Sequence, residues 1–320
     1  MSILFVGPNR LGDAILVSGL LHWLHKTHPE DEITLACGPW AAMALRDAPG
    51  VTSLHIMEKR PRGGHWLDLW RLARRQRWRR VVDLRRSVLP WLLRAGARHS
   101  VPKGEPGEHR VVQAARTLDL PPQTPRTWLS ESHRETAARL LPPRRPVLAL
   151  GTGANWVCKT WPAGHFADLA RRVTAPGGPL PNGIVLLVGG GGERGSADTI
   201  MASLAPDGFV DAFGFDVPNT AALLERASVF VGNDSAMMHL AAASGTRTIG
   251  LFGPTSEEQY GPWGPEAIVV RTPESLSALQ AQRESDPSCA LRSQMTSLEV
   301  QAVLDALQRR WPDIGGGADA

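Results

Sequence analysis

Cysteine is scarce in this chain. Its 320 residues include three cysteines, Cys37, Cys158 and Cys289, which lie far apart and form no C-x-x-C pair. Disulfide frameworks and structural zinc sites need cysteines in closely spaced sets, so the sequence favours neither. We expect the three thiols to act as small apolar side chains in the core.

Long apolar runs are absent as well. No run approaches the roughly 20 residues needed to cross a bilayer, and the first residues, MSILFVGPNRLGD, have no basic segment before their apolar stretch. The composition, 42% hydrophobic and 21% charged, is typical of a soluble globular protein. We therefore expect a cytoplasmic protein, long enough for two domains.

The net charge of +4 is small but unevenly distributed. Residues 59–86 contain eleven Lys or Arg and only two acidic residues, Asp68 and Asp83. Such a basic run favours an anionic partner, which would be nucleic acid, acidic lipid or a phosphorylated substrate, although a solvated helix face is the alternative interpretation. No recognised nucleic-acid-binding motif accompanies the run, so we expect no nucleic-acid partner.

Apolar runs alternate with plausible helices along the chain, which predicts α/β domains with parallel sheets. A proline-rich linker at 141–146 divides the alternation into two Rossmann-like halves. We predict an N-terminal domain at 1–145, a C-terminal domain at 146–312 and a flexible tail at 313–320. The predicted strands are 3–6, 33–36, 51–56, 81–84, a weak segment near 101, 147–150, 184–188, 209–213, 227–231, 248–252 and 268–270.

The loop after the first strand holds two glycines, Gly7 and Gly12, but completes no nucleotide-binding motif. It is not a G-x-G-x-x-G sequence, and no Lys-Ser/Thr pair follows Gly12. Asp13 instead places a carboxylate in the first turn of the next helix. This carboxylate either stabilises the helix start, by about 0.5–2 kcal/mol, or acts as a general base.

Two loops in the second half combine small residues with one charge. Thr152 and Gly153 allow close backbone approach, and Lys159 follows in the same loop, before a helix predicted from about residue 163. A lysine there is well placed to neutralise a phosphate leaving group, although a plain surface lysine is the alternative. In the next loop, Glu193 follows four glycines and is suited to accept hydrogen bonds from ribose hydroxyls.

The segment VGNDSAMMH at 231–239 is the strongest single signal. An apolar run stops at Asp234 and Ser235 and then becomes helix-forming, so these residues are predicted at the cap and first turn of a helix. Free amides at a helix start bind anions, and the carboxyl ends of parallel strands are where α/β sheets bind ligands. An ordinary βαβ unit with a capping aspartate remains the alternative.

These pieces occur in a fixed order: RLGD at 10–13, GA at 153–154 with KTWP at 159–162, GGGGE at 189–193, and GNDSAMMHLAAA at 232–243 with FGPT at 252–255. Together they resemble glycosyltransferase family 9, the ADP-heptose:lipopolysaccharide heptosyltransferases. The resemblance covers nearly the whole chain. It implies a GT-B architecture, two facing Rossmann-like domains with an interdomain cleft, the acceptor bound by the first domain and the nucleotide sugar by the second.

The resemblance also implies roles for single residues. Asp13 would be the catalytic base, Lys159 would bind the diphosphate, and Glu193 would contact the ribose of the nucleoside. Asp234 and Ser235 would hold the phosphate and sugar region of the donor. The helix amides and Lys159 would stabilise the departing nucleoside diphosphate, so we expect neither a metal ion nor another cofactor.

Further donor contacts are expected around these positions, and one departs from the family pattern. Ala236 stands where relatives usually have glycine, so a shift in donor preference is conceivable. His239, one turn further on, is either a donor contact or a packed or capping histidine. The donor-binding set expected is Gly12, Thr152, Gly153, Lys159, Glu193, Asp234, Ser235, Ala236 and His239.

The resemblance gives the basic run a partner, an anionic glycolipid acceptor on the cytoplasmic face of the inner membrane. We expect Lys59, Arg60 and Arg62 to bind acceptor anions. Residues 71–80, with nearby tryptophans 66, 70 and 78, are interpreted as a basic aromatic helix that rests on anionic headgroups, or alternatively packs inside the protein.

The sequence thus predicts an inverting glycosyltransferase. It would move a heptose from a nucleotide diphosphate donor, ADP-heptose by resemblance, to the inner core of lipopolysaccharide. The alternatives are a family member that uses another nucleotide sugar or glycan acceptor, and an inactive scaffold that binds sugar nucleotides. Retention of Asp13 together with Lys159 and Asp234 speaks against the scaffold, because a pure binder needs no base.

Overall fold

The structure, a computed structural model, describes residues 2–315. The chain divides into two compact units, Met1–Trp128 and Leu129–Ala320, called here unit 1 and unit 2. Among the described residues no helix is both long and apolar enough to cross a membrane. Of the tail predicted from residue 313, Ile314 packs into the core of unit 2, and residues 316–320 lie outside the described residues.

Unit 1 is built on a five-stranded parallel sheet with the strand order β3-β2-β1-β4-β5. Apolar side chains cover both faces of the sheet, as a parallel sheet flanked by helices requires. The strands are β1 Ser2–Val6, β2 Glu32–Cys37, β3 Val51–Ile56, β4 Trp78–Asp83 and β5 Ala95–Ser100. The helices are α1 Leu11–Thr27, α2 Pro39–Leu45, α3 Gly64–Ala73 and α4 Arg110–Ala115.

Unit 2 contains a six-stranded parallel sheet with the order β11-β10-β9-β6-β7-β8. Its strands are β6 Val147–Gly151, β7 Ile184–Gly189, β8 Phe209–Phe213, β9 Val229–Asn233, β10 Thr248–Phe252 and β11 Ala267–Arg271. Its helices are α5 Glu131–Leu140, α6 Ala163–Thr174, α7 Gly195–Met201, α8 Val217–Glu225, α9 Ala236–Ala243, α10 Glu257–Tyr260, α11 Leu276–Ser285 and α12 Val300–Arg310.

Amphipathic helices close the core of unit 2. Helix α6 buries Phe166, Ala170 and Val173, whose spacing of three or four residues lines up one apolar face. Helix α12 contributes Val303 and Leu307 to the same core. Because these faces lie against strands that are themselves buried along their whole length, the sheet edge that carries the loops rests on a continuous core.

The predicted α/β class with parallel sheets is confirmed. The units divide at residue 128, ahead of the linker predicted as the boundary, because α5 belongs to unit 2. Helix α5 packs along α8, and Arg134 pairs with Glu225 at 3.0 Å.

Two local predictions are wrong. Residues 71–80 do not form one helix: α3 ends at Ala73, and Trp78 begins β4 with its ring 1% exposed and its Nε1 donating to the Ala73 carbonyl. The amphipathic pattern at 297–310 predicts a last helix capped by Ser297, but α12 begins after Glu299, and the Ser297 hydroxyl donates to Glu274 instead.

Each sheet has one switch point, where the chain changes the side on which it adds strands. In unit 1 the switch lies between β1 and β4, and in unit 2 it lies between β6 and β9. Loops that leave the carboxyl ends of such strand pairs diverge and leave room for a ligand. The residues that follow β1, β4, β6 and β9 are therefore the first places to look for a site.

Candidate functional site

An ion pair spans the switch point of unit 2. Nζ of Lys159, in the loop after β6, lies 3.0 Å from Oδ2 of Asp234, which follows β9. The two side chains are only 12% and 9% exposed. Water screens the charges of so enclosed a pair poorly, so their attraction is strong. It holds a cation and an anion in fixed positions beside the carboxyl ends of β6 and β9.

Asn233, the last residue of β9, fixes the geometry of this pair. Its side chain is fully buried, its Oδ1 accepts from the Trp161 amide at 2.9 Å, and its Nδ2 donates to the Thr152 carbonyl at 2.7 Å. It therefore holds both ends of the loop that carries Lys159. Asn233 is not among the predicted site residues, although it is part of the GND motif that precedes α9.

A segment near the C-terminal end supports the same loop from outside. The backbone amide of Gln294 donates to the Cys158 carbonyl at 3.0 Å, and the Ser293 hydroxyl donates to the Thr160 carbonyl. In the opposite direction, Nε1 of Trp161 donates to the Leu298 carbonyl at 2.8 Å. The Trp161 indole is 1% exposed. The loop that carries Lys159 is thus hydrogen-bonded on two sides, to Asn233 and to residues 293–298.

Helix α9 begins at the ion pair with an unused hydroxyl. Ser235 is the N-cap residue, with φ −150° and ψ 173°, but its side chain makes no capping hydrogen bond. Its Oγ is buried and has no hydrogen-bond partner among the described residues, and the same holds for Oγ1 of Thr255 after β10. Buried hydroxyls without partners are costly, so a ligand that bonds to them would be favoured.

The two remaining positions on α9 differ in exposure. Ala236 is the first helical residue and is partly exposed beside Ser235, whereas His239 is 5% exposed. The His239 amide donates to the Ser235 carbonyl at 3.4 Å. The structure therefore places Ala236 at the open end of the helix and encloses His239 one turn further in.

Glu193 lies in a niche lined by glycines. Its Oε2 accepts from the Gly190 amide at 3.0 Å, and the ideal Cβ position of Gly153 overlaps the Glu193 carboxylate. Next to Gly153, the Thr152 hydroxyl accepts from the Ser196 hydroxyl at 2.8 Å. The absence of a side chain at Gly153 thus lets the β6 and β7 loops meet, with the carboxylate between them.

Trp156 is a second residue of this region that was not predicted from the sequence. It is 50% exposed, and Nζ of Lys159 and the guanidinium of Arg283 lie 5.4 and 5.9 Å from its ring centroid. The two cations interact with the ring face, which leaves an aromatic surface beside the ion pair. Its place in a loop of small residues was the signal that could have identified it.

At the switch point of unit 1, Asp13 lies in the first turn of α1, next to Gly12. Both residues are partly exposed, and the N-cap residue Arg10 provides no side-chain cap. The first-turn amides of α1 and the Asp13 carboxylate therefore lie at the carboxyl edge of the sheet, as the sequence predicts.

Arg85, two residues after β4, lies at the same switch point. Its guanidinium carbon is 4.6 Å from the ring centroid of Trp66, its Nη1 is 3.5 Å from Sδ of Met57, and no carboxylate among the described residues lies within 4.0 Å of it. Burial lowers the pKa of Arg85, against the attraction of Asp83. This enclosed cation without a paired anion is a candidate for binding an anionic group.

The three cations proposed for the acceptor follow β3 at the same sheet edge. Arg60 is paired with Asp68 at 2.6 Å, whereas Lys59 and Arg62 are exposed and have no ion-pair partner among the described residues. Burial, followed by the positive charges of Arg85, Lys59 and Arg60, lowers the pKa of His65. The structure thus brings this loop and Arg85 into one positive region.

The described residues, 2–315, contain no group of three or more His, Cys, Asp or Glu side chains arranged to hold a metal ion. Sγ of Cys289 lies 3.5 Å from Oδ2 of Asp286 and 3.4 Å from Nη2 of Arg292. A guanidinium therefore occupies the place beside its sulfur.

Comparison with known proteins identifies the family. The family model for glycosyltransferase family 9 (heptosyltransferase) matches residues 85–289, which include β6 to β11. A lipopolysaccharide heptosyltransferase 2 of Salmonella typhimurium is 24% identical over 350 residues that cover 96% of this chain and 97% of the relative.

Solved structures give the same fold. The Escherichia coli ADP-heptose lipopolysaccharide heptosyltransferase II superposes with a TM-score of 0.75 at 21% identity, covering 97% of this chain and 98% of that one. A family 9 glycosyltransferase of Veillonella parvula gives 0.77 at 19% identity, covering 98% and 97%. With its two parallel-sheet units of the GT-B fold, this chain belongs to glycosyltransferase family 9 and is a glycosyltransferase.

Proposed function

We propose that this enzyme transfers a heptose from ADP-heptose to a lipopolysaccharide inner-core acceptor with inversion at the anomeric carbon. The observation that carries the proposal is the enclosed Lys159–Asp234 pair at the start of α9, next to the unpartnered hydroxyl of Ser235. The relatives named as lipopolysaccharide heptosyltransferases 2, which align along nearly the whole chain, support the choice of donor sugar and acceptor.

The donor would bind to unit 2 through its two phosphates and its ribose. Lys159 and the amides at the start of α9 offer positive charge to the diphosphate, and Asp234 keeps the ammonium of Lys159 oriented. Ser235 would donate its unused hydroxyl proton to a phosphate oxygen, and Glu193 would accept from the ribose hydroxyls. Thr152, Gly153, Ala236 and His239 complete the proposed set in unit 2, and Gly12 is its one proposed member in unit 1.

In the proposed reaction, the acceptor hydroxyl oxygen attacks the anomeric carbon from the side opposite the phosphate. Its proton passes to the Asp13 carboxylate, and the bond between the anomeric carbon and the phosphate oxygen breaks with its electron pair leaving on ADP. A single displacement inverts the configuration and needs no covalent intermediate. Lys159 and the helix amides would stabilise the charge that develops on ADP, so the proposal requires no metal ion.

Unit 1 would bind the acceptor. Lys59, Arg60 and Arg62 provide charge for acceptor phosphates or carboxylates, and Arg60 is held in place by Asp68. An anionic, lipid-linked acceptor implies work at a membrane surface, and we propose the cytoplasmic face of the inner membrane.

The test combines a donor screen with two substitutions. Calorimetry with ADP-, UDP- and GDP-sugars should give tightest binding for ADP-heptose, and NMR should find an inverted product. Asp13→Asn should reduce transfer by about 10²–10⁴-fold with donor affinity nearly unchanged, because only the base is lost. Lys159→Ala should weaken ADP binding by about ten-fold or more.

Each contrary result selects one alternative. A preference for UDP- or GDP-sugars would identify an enzyme with another donor. Tight ADP-heptose binding without any transfer would favour the inactive scaffold. If Asp13→Asn loses donor binding and keeps turnover, Asp13 is not the base, and unchanged ADP affinity in Lys159→Ala removes that lysine from the site.

A further inference from the structure

The loop between β4 and β5 exposes three large apolar side chains. Val88, Trp91 and Leu92 are 71%, 74% and 59% exposed, and we call these three residues the apolar wedge. A soluble surface gains nothing from such a cluster, because each side chain leaves apolar area in water. The wedge therefore indicates a surface that is covered in some state of the protein.

The wedge is held in position from below. Leu89, which follows Val88, and Leu93, which follows Leu92, are 3% and 4% exposed and belong to the core of unit 1. Residues Leu89–Leu92 form a 3-10 turn. Arg98 secures this turn, because its guanidinium donates to the carbonyls of Pro90 and Leu93 at 2.8 and 2.9 Å.

The base of the loop is equally well fixed. The fully buried carboxylate of Asp83 accepts from the amide of Arg85 at 2.8 Å and from the amide and hydroxyl of Ser87, both at 2.7 Å. The Ser87 hydroxyl in turn accepts from the Leu89 amide at 3.2 Å. The exposure of the wedge is thus a property of an ordered loop.

The surroundings of the wedge are positively charged. Residues 84–104 contain five basic side chains, namely Arg85, Arg86, Arg94, Arg98 and Lys103, and no Asp or Glu. Arg86 and Arg94 flank the wedge, are exposed, and have no ion-pair partner among the described residues. An apolar tip framed by unpaired arginines is complementary to a surface with negative headgroups and an apolar interior.

The wedge also lies at the functional edge of unit 1. It follows the carboxyl end of β4, the strand that pairs with β1, and Asp13 follows β1. Because all strands of this sheet are parallel, the wedge leaves the same edge as the Asp13 and Lys59 loops. A partner seated on the wedge would lie close to the proposed acceptor residues.

We propose that the apolar wedge inserts into an anionic lipid surface, with Trp91 at the headgroup level and Arg86 and Arg94 on the headgroup phosphates. A second copy of the chain fits this patch less well, because two arginine-framed wedges would repel each other. The proposal rests on the proposed function only in that a lipid-linked acceptor provides the membrane. It replaces the membrane contact predicted for residues 71–80, where Trp78 is buried.

The test measures vesicle binding without donor or acceptor, so that it stands even if the proposed sugar transfer fails. The protein is sedimented with vesicles of phosphatidylcholine alone and of phosphatidylcholine with roughly 30% phosphatidylglycerol. The unaltered chain should bind the anionic vesicles and leave the neutral ones. The double variant, with Trp91→Ser and Leu92→Ser in one chain, should have a partition coefficient for the anionic vesicles that is lower by about ten-fold or more.

A matched control uses the same chemical change elsewhere. Leu291 lies in unit 2 and is 81% exposed, so Leu291→Ser removes one exposed leucine as Leu92→Ser does, and it should leave vesicle binding unchanged. If the double variant does not fold, the single variants Leu92→Ser and Leu291→Ser still show whether the wedge contributes to vesicle binding.

Three results would overturn the proposal. In the first, the unaltered chain binds no anionic vesicle. In the second, the wedge variants bind as well as the unaltered chain, or Leu291→Ser weakens binding equally. In the third, sedimentation velocity shows a dimer that the wedge variants lose, which would assign the patch to a second copy of the chain.

Discussion

At the scale of single residues, Gly153 shows why a loop glycine is required. Its ideal Cβ position overlaps the Glu193 carboxylate, which accepts from the Gly190 amide. A methyl group at this position would have to displace the carboxylate that we assign to the ribose. The space at Gly153 is therefore part of the proposed nucleotide site.

We expect Gly153→Ala to weaken ADP binding by about ten-fold, because the displaced carboxylate loses its hydrogen bonds. Isothermal calorimetry with ADP measures the change. Gly192→Ala is the control, since the ideal Cβ of Gly192 meets no atom within 4 Å, and it should bind ADP as the unaltered chain does. Equal affinities for the two variants would show that Glu193 does not need its niche.

The predictability of site residues differs from one to the next. Lys159 and Asp234 were recognisable from local motifs, yet their direct contact across 75 residues depends on β6 and β9 being neighbours. Arg85 was one of eleven cations in a run, and its distinguishing features, the Trp66 ring and the lack of a paired carboxylate, arise only from packing. Sequence patterns identify the residue types, whereas the fold selects among them.

At the scale of elements, the β9–α9 junction is joined to the loop after β6 through Asn233. A buried amide that both donates and accepts can bridge two backbone segments. An aspartate at position 233 would have the same shape but no N–H donor. It would still accept from the Trp161 amide, but it could not donate to the Thr152 carbonyl.

Asn233→Asp should therefore lower the free energy of unfolding by about 1–3 kcal/mol, because a buried carbonyl loses its donor and faces a carboxylate. ADP affinity should fall as well, since the Lys159 loop loses one attachment. Urea denaturation and calorimetry measure the two effects. Asn219→Ala, at a partly exposed position on α8, should change neither, and a stable Asn233→Asp variant with normal ADP affinity would contradict the positioning role.

Element boundaries were predictable where the burial pattern is simple. The strands 51–56, 209–213 and 248–252 agree with the predicted bounds. The prediction of one helix at 71–80 was wrong because composition does not distinguish the two possibilities. A basic helix with tryptophans and a helix followed by a strand contain the same residue types. The Trp78 side chain decides the case, since it is buried in the core and bonds to the Ala73 carbonyl.

At the scale of the whole molecule, unit 1 contains several histidines that burial makes harder to protonate. In each of them burial is the first cause that lowers the pKa below 6.5, with further contributions from nearby arginines or lysines. The histidines are His22, His28, His55, His65 and His99. Unfolding returns each ring to an ordinary pKa, so the unfolded state binds more protons.

The free energy of unfolding of unit 1 should therefore be highest above about pH 6.5 and should decrease as the pH falls below that value. Between about pH 7.5 and pH 5.5 we expect a loss on the order of 1 kcal/mol, because solvent screens the more exposed rings. Hydrogen exchange with mass spectrometry, corrected for intrinsic rates, measures the opening free energies in units 1 and 2 of the same sample. An equal loss in both units, or none in unit 1, would contradict the prediction.

The overall architecture was the most predictable level. Alternating apolar runs and helices predict parallel sheets, and the order of the weak motifs along the chain identifies the family. The unit boundary was less predictable, because a proline-rich stretch at 141–146 resembles a linker, while α5 before it packs against α8. Tertiary contacts of one short helix decide to which unit it belongs.

The segment at 293–298 bonds to the backbone on both sides of Lys159 and to the Trp161 indole, although it comes more than 130 residues later in the chain. A ribosome makes these residues long after it has made the Lys159 loop. The sheet of unit 2 can form earlier, but the Lys159 loop lacks its outer support until residue 298 has left the exit tunnel. The Lys159 loop would thus become fixed only after all six strands of the unit 2 sheet, the last of which ends at Arg271, have been made.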